Sequence, residues 1–351
     1  MSFALRKDDD AAIAAFLDRC GIGRDAVVPL ASDWAARTYF RVQRQGSDNL
    51  VLMYCLDDLT RSEMPHFLMI AQALRDQGIA TPHVWHSDFE QGFMLLEDFG
   101  DITFTRQMNQ IIHQQDELYT LATDVLIKLA QLPDGVHADL PRFEDTPVAR
   151  GHRRVLDWYA PGIRERQTGD AALNTYHGIV DGYIARLPVQ KRGFVHIDFH
   201  PENLMYRPLE QGITQAGVLD FQAAASGAPV YDLANLLCDI RRDVPTELRD
   251  ACLNRYKEAV AGEGLDEWFC LYALLYHLRI MGQVVKLGIK AQRTQLLDFM
   301  PRVGRYIADE LDNPDFKELR QFFSDLGLDF KTSYAPADLA RIAPYIRNDA
   351  Y

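Results

Sequence analysis

Five cysteines, Cys20, Cys55, Cys238, Cys252 and Cys270, are scattered along the chain, odd in number and without a CxxC spacing. That excludes a disulfide framework and a zinc site built on cysteine pairs, and it fits a reducing compartment. Positive charge is also scarce. The 37 Lys and Arg stand against 50 Asp and Glu, a formal net charge of −13, which argues against nucleic acid and anionic membranes as partners. The longest apolar run, Trp268 to Tyr276, is far short of a bilayer span. It is flanked by Asp266, Glu267, His277 and Arg279 and reads as a buried helix. The opening residues, MSFALRKDDD, reach charge before a signal-peptide core can form, so a cytoplasmic protein is expected. No repeat or low-complexity tract is present.

What remains is a chain of 351 residues, 48% hydrophobic and 25% charged, long enough for two lobes with their own cores. The first hundred residues mix strands with one or two helices. AAIAAFLDRCGI has helical apolar spacing and a glycine stop. TYFRVQ and NLVLMYCL read as adjacent strands, separated by the turn formers Ser47, Asp48 and Asn49. Glu63 to Gln77 is helical, with Phe67, Ile70, Ala71 and Leu74 on one face. HVWHSD and GFMLLE form a hairpin over Phe89–Gln91. After Gly100 long helical patterns dominate, over 117–132, 148–166, 172–187, 231–241, 247–263, 266–287 and 295–311. Short strands interrupt them near 193–197, 204–206 and 215–219. The class is α+β, a small antiparallel-sheet lobe over 1–97, a hinge at 98–101, and a larger, mainly helical lobe over 102–351.

The segment that carries chemistry is Phe194-Val195-His196-Ile197-Asp198-Phe199-His200-Pro201-Glu202-Asn203, followed by Val218-Leu219-Asp220-Phe221-Gln222. An isolated His-x-Asp would be only a polar turn. Here H-x-D-x-x-x-x-N is followed by the short strand LMY, a turn, the strand GVL and a second Asp. Phosphoryl transfer asks little covalent work of a protein: it needs an oriented nucleophile and neutralised phosphate oxygens. Asp198, on a loop after a strand, is the candidate base. Asn203 and Asp220 offer the hard oxygens that magnesium takes. His196 reads as a loop-fixing residue, and His200 as a loop organiser or a neighbour of substrate.

These motifs resemble the aminoglycoside phosphotransferase and choline kinase superfamily, whose fold is similar to that of protein kinases. H-x-D-x-H-x-x-N is matched by His196 to Asn203, the metal motif by Asp220, and the following Y-D-L-A helix by Tyr231 to Ala234, where Asp232 is expected to be structural. The resemblance runs from about Pro29 to at least Arg302. It implies ATP as donor, Mg2+ as cofactor and a small-molecule substrate. In kinase order Asp98-Phe99-Gly100 falls where the lobes join, so it reads as a hinge rather than a metal site, with backbone groups around Leu96 to Phe99, Glu97 among them, meeting adenine.

Two departures stand out. In place of a Gly-rich loop there is Ala31-Ser32-Asp33-Trp34-Ala35-Ala36-Arg37-Thr38-Tyr39-Phe40-Arg41, in which Ser32, Arg37 and Arg41 are candidates for covering phosphates; an ordinary hairpin turn is the alternative. Met53 stands at or near the place of the strand lysine, so Glu63, its expected helix partner, needs another cation, for which Arg37 and Arg41 are candidates. The same departures, with Leu278-Arg279-Ile280-Met281-Gly282 and Met300-Pro301-Arg302-Val303, resemble the bacterial cell-wall amino-sugar kinases, which act on N-acetylmuramate and N-acetylglucosamine. That resemblance implies an N-acetylated amino sugar as substrate, with Asp198, His200 and Arg279 near it, and His277 as a further polar neighbour. A kinase of the same superfamily acting on an aminoglycoside, a choline-like alcohol or homoserine, and a nucleotide-binding pseudokinase, are the alternatives.

Overall fold

The computed structural model describes residues 7–22, 27–30, 37–44 and 46–351, with side chains from residue 10 of the first helix onward. They pack as two compact units: one takes in Met1–Val125 and Pro201–Ala223, the other Leu126–His200 and Ala224–Tyr351. Chain order alone, with its expected boundary at 98–101, does not express the return of 201–223 to the first unit.

In the first unit five antiparallel strands form a sheet. They are β1 (Val27–Pro29), β2 (Arg37–Val42), β3 (Leu50–Cys55), β4 (Val84–Asp88) and β5 (Phe93–Glu97), in the order β1-β2-β3-β5-β4. The hairpin expected from HVWHSD and GFMLLE is β4–β5. Successive side chains of a strand point to opposite faces, and the core shows which face is which. Helix α1 (Lys7–Arg19) lays Ile13, Phe16 and Leu17 against Phe40 and Val42 of β2, Leu50, Leu52 and Tyr54 of β3, and Phe93 and Leu95 of β5. Arg37, Tyr39 and Arg41 therefore lie on the face away from α1, and the register Tyr39↔Met53↔Met94 places Met53 among them. After the short α2 (Asp58–Ser62) comes α3 (Met64–Asp76), with Pro65 in its first turn and Met64, Phe67, Ile70, Ala71 and Leu74 buried.

The unit is completed by α4 (Phe104–Gln110) and the start of α5 (Gln115–Ala130). Two short strands of segment 201–223 belong to it as well; the strands of the whole chain in order are β6 (Gly193–Val195), β7 (Leu204–Tyr206), β8 (Ala216–Val218) and β9 (Ala225–Gly227). The β7–β8 pair is bonded into the first unit: Val218 N–H donates to Ala80 O at 2.7 Å and Tyr206 N–H to Ile102 O at 2.7 Å.

The second unit is helical: α6 (Ala160–Arg164), α7 (Asp170–Arg186), α8 (Val230–Leu237), α9 (Thr246–Ala259), α10 (Leu265–Ala291), α11 (Met300–Leu311) and α12 (Lys317–Asp325), with the β6–β9 pair. Helix α10 is its axis, packing on α8, α11 and the segment 151–159. By length and composition α10 could cross a membrane, but 78% of its most apolar window is buried within the unit, as in a core helix. His277 belongs to this interior: Nδ1 meets Glu310 Oε1 at 2.8 Å and Nε2 meets Cys238 O at 2.9 Å. Its polar capacity is used structurally, not on a substrate.

Three expectations change. The helix expected over 148–166 is a 3-10 turn at Gly151–Arg153, a π-turn at Val155–Tyr159 and then α6. Pro161, which has no N–H to continue a helix, opens α6 instead. Pro301 does the same at the head of α11, so residues 294–299 form a 3-10 turn in place of α-helix. Strand β9, three small residues without apolar alternation, gave no periodic signal; it pairs with β6 just before the loop that carries Asp198.

The backbone of Arg154 lies so near α10 that a Cβ on Gly282 would stand 2.1 Å from Arg154 C and O. Gly282→Ala is expected to cost roughly 2–3 kcal/mol through overpacking. Gly178→Ala in α7, where nothing lies within 4 Å of the added atom, should be neutral or gain up to about 1 kcal/mol from helix propensity. Urea unfolding of both variants separates the two outcomes.

Candidate active site

The loop after β6 turns through Ile197, whose φ of 79° is costly for a β-branched residue. Helix α8 holds it there. Asp232 Oδ2 accepts from His196 N–H at 2.6 Å and Oδ1 from Ile197 N–H at 2.9 Å, while Asn235 Nδ2 donates to Ile197 O at 2.6 Å. Both backbone groups of the strained residue are thus gripped by side chains one helical turn apart. His196, fully buried, receives the Asp198 N–H on Nδ1 at 3.3 Å and sets its ring edge-on to Phe199. The loop can therefore present Asp198 outward, with its side chain 48% exposed.

Around Asp198 the charges are asymmetric. His200 Nε2 lies 3.4 Å from its Oδ1. Burial works to raise the carboxyl's pKa, but the His200 hydrogen bond and charge, and the cations Arg279 and Arg241, hold it well below the usual carboxylate range. Arg241 is itself fixed by Asp239 at 2.8 Å. Beside this loop a shallow aromatic cleft, open at its mouth, is lined by Phe143, Tyr231, Tyr272, Leu275, Tyr276 and Arg279 among others. The charge of Asp198 acts on Tyr231 and Tyr276 of that wall, so the cleft adjoins the candidate base.

In the first unit, Asn203 and Asp220 sit at one end of the β7–β8 pair. Leu204 is opposite Val218, and Leu219 N–H donates to Asn203 O at 3.0 Å. Asp220 is exposed, adopts φ 62°, and accepts from Gln222 Nε2 at 2.6 Å. Among the described residues no group of three His, Cys, Asp or Glu is set to hold a metal. One amide and one carboxylate at a strand end still fit magnesium, which keeps several waters and takes phosphate oxygens to complete its shell.

The cations of β2 divide their work. Arg37, buried, forms an ion pair with Glu63. Arg41 is engaged elsewhere: its guanidinium meets Asp98 at 2.5 and 3.0 Å, Asp101 at 2.8 and 2.9 Å and Gly100 O at 3.2 Å. Instead of covering phosphates it ties down the 98–101 segment, and Asp98, with a side chain 6% exposed, is turned to Arg41. Between the two arginines Tyr39 is buried enough to push its hydroxyl's pKa up to about 12, with Arg37 opposing the rise and the Asp220 charge adding to it. Met53, at the strand position where a lysine was expected, is buried. Ser32 and the rest of 31–36 lie outside the described residues.

Glu97 and Phe99 also serve the first unit's own packing. The Glu97 carboxylate meets Arg75 and Arg207, each at 3.1 Å. Its amide donates to His83 O at 2.8 Å, so that backbone donor is committed within the unit and does not face a base. The Phe99 ring lies under the Arg207 guanidinium at 4.4 Å and over Gly217, where a Cβ would come within 2.5 Å of it. Sequence reading missed Asn235, Asp239 and Arg241. For Asn235 a signal existed, since it follows Asp232 by three residues and shares its helix face.

Burial pushes the Asp232 carboxyl up to about 7, against the pull of its two amide donors. A folded-state pKa above the unfolded value near 4 favours folding at low pH, and that contribution is lost as pH rises through 7. Asp232→Asn removes this titration. The stability of wild type relative to Asp232→Asn should therefore fall between pH 4 and pH 8, measured by chemical denaturation at each pH. Asp232→Ala, which strands both amides, should cost about 2–5 kcal/mol at low pH, and less as pH rises and wild type loses its own contribution.

A family profile described as "Phosphotransferase enzyme family" matches residues 26–269. An N-acetylmuramate/N-acetylglucosamine kinase of Caulobacter vibrioides is 28% identical over 91% of this chain and 97% of its own length. A protein of the same name from Pseudomonas aeruginosa is 29% identical, over 86% and 88%. Among solved structures, a choline/ethanolamine kinase family protein of Mesorhizobium loti shares the fold with a TM-score of 0.58 and 15% identity. It covers 95% of this chain and 98% of its own. With a sheet-bearing unit, a helical unit and the H-x-D-x-H-x-x-N loop inside a match that spans most of its length, the chain belongs to the phosphotransferase enzyme family.

Proposed function

We propose that the protein transfers the γ-phosphoryl group of ATP to a hydroxyl of an N-acetylated amino sugar. The observation that carries this reading is an ionised carboxylate, Asp198, on a clamped loop beside an aromatic cleft. The relatives named as N-acetylmuramate/N-acetylglucosamine kinases support the sugar assignment.

Asp198 accepts a hydrogen bond from the sugar hydroxyl and fixes its lone pair in line with the phosphorus. A carboxylate held so far below its usual range is a weak base. That is sufficient where the transition state is loose and the proton leaves late, because orientation then supplies most of the acceleration. His200 keeps Asp198 in place. Asn203 and Asp220 would hold magnesium, which supplies charge neutralisation on the phosphate oxygens. Arg37, kept in position by Glu63, takes the phosphate-facing task of the missing lysine, and the Arg41–Asp98–Asp101 cluster gives the 98–101 segment a fixed form.

Magnesium-dependent ATP consumption is measured against N-acetylglucosamine, N-acetylmuramate, kanamycin, choline and homoserine. Turnover on either amino sugar is the expected outcome; turnover on kanamycin alone overturns the sugar reading. Asp198→Asn should lower kcat by about 10²–10⁴-fold while the Kd for ATP stays within a few-fold. Arg37→Gln should do the reverse, raising the KM for ATP by about tenfold, as loss of a charged hydrogen bond implies, with the smaller effect on kcat.

A further inference from the structure

Two arginines of the helical unit have no anion. Arg154 and Arg279 each bury Nε without a hydrogen-bond partner, and among the described residues neither is joined to a carboxylate in an ion pair. They nonetheless stand side by side. A Cβ built on Gly151 would lie 2.6 Å from Arg279 Cδ and 3.0 Å from Arg154 Nη1, so both side chains converge over a residue that has none. Arg279 and Gly282 share a face of α10, and Gly282 admits the Arg154 backbone against that face.

What surrounds the pair is mostly aromatic or cationic. Arg279 lies over Tyr276 at 5.2 Å and lines the cleft; Arg154 lies over Tyr351 at 5.3 Å. Lys286, two turns beyond Arg279, is pressed against Trp158 at 5.7 Å and adds a third positive charge. Two acids are near: Asp157 is engaged by Arg153 at 2.9 Å and by the Tyr351 amide at 2.9 Å, and Asp198, on which the charge of Arg279 acts, is engaged by His200 at 3.4 Å. His152, also in the cleft wall, is kept neutral by burial, with its pKa lowered to about 3. Burial lowers the pKa of Arg154, and the charge of Arg279 lowers it further. Two guanidinium groups held together at this cost, in a protein of net charge −13, form a receptor for an anion. Gln283, one turn after Arg279, leaves Oε1 buried without a donor, so a ligand that brings a hydroxyl or amide N–H next to its anion has a partner there as well.

We propose that Arg154 and Arg279 recognise a carboxylate carried by the sugar, and so make the protein selective for an acidic N-acetylated amino sugar over its neutral counterpart. The inference rests on the amino-sugar reading above and deepens it. A guanidinium pair offers forked donors that match a planar carboxylate, and the aromatic wall receives the less polar faces of the ring. Arg279 has a second effect, since its charge also lowers the pKa of Asp198. Its removal changes turnover of every substrate, whereas selectivity is carried by the pair.

The test compares N-acetylmuramate, which bears a carboxylate, with N-acetylglucosamine, which does not. It uses full-length wild type, Arg154→Gln, Arg279→Gln, the double variant and Arg154→Lys, each checked for a native thermal transition. Wild type should favour the acidic sugar in kcat/KM. Each Gln variant should lower that preference at least tenfold through KM, the double variant little further, and Arg154→Lys should retain part of it. An unchanged preference in both Gln variants overturns the proposal. So does an equal rise in the KM for ATP with either sugar, which would place the pair on the donor's phosphates. Calorimetric titration of both sugars without nucleotide separates this inference from the function it rests on. Equal affinities overturn the pair's role whatever the turnover, while acid-selective binding without turnover supports the pair and overturns the kinase reading.

Discussion

The arrangement of the loop that carries Asp198 depends on how α8 holds Ile197. A β-branched residue at positive φ is unfavourable by itself, and the loop keeps this turn because Asp232 and Asn235 capture the N–H and the C=O of that one residue. The turn reverses the direction of the chain after β6 and points Asp198 outward while His196 and Phe199 stay in the core. Asp232 is a buried carboxylate whose desolvation exceeds the stabilisation from its two amide donors. The helix accepts a costly charge there because the alternative is two unsatisfied buried amides and a relaxed loop.

On the sheet, one alternating strand supplies three polar side chains to a single face, and neighbouring acids divide them. Arg37 goes to Glu63 at the head of α3, Arg41 to Asp98 and Asp101, and Tyr39 stays between. Glu63, for which a lysine of β3 was the expected partner, takes its cation from β2 instead. Arg41, on the same face and nearer to Glu63 in sequence, is used to shape the 98–101 segment, and the motif Asp98-Phe99-Gly100 is bound up in ion pairing and packing.

In the helical unit the governing constraint is proximity. Gly282 lets the backbone at Arg154 approach α10, and the π-turn that follows keeps that approach while Pro161 starts a new helix. The result is a concentration of positive charge next to an aromatic wall, close to a carboxylate that it holds ionised. His277, in the same helix, is satisfied on both nitrogens and belongs to the core, while Arg279 two residues on is not paired. Position along the helix decides which polar residue is satisfied within the unit and which is not.

Much of this was legible in the chain itself. The alternation of TYFRVQ and NLVLMYCL, the face of Phe67, Ile70, Ala71 and Leu74, and the strands at 204–206 and near 216–218 depend on local periodicity, which survives folding unchanged. The loop from His196 to Asn203 and the acid at 220 could be read because their chemistry lies in residue type and spacing. Three things were decided only in three dimensions. Which arginine of β2 pairs with Glu63 depends on where acids from distant segments arrive. The breaks at 155–159 and 294–299 depend on prolines acting within a packed unit, not on apolar period. The pairing of Arg154 with Arg279 joins residues far apart in sequence through two glycines, and a glycine's absent side chain has meaning only when its neighbour in space is known.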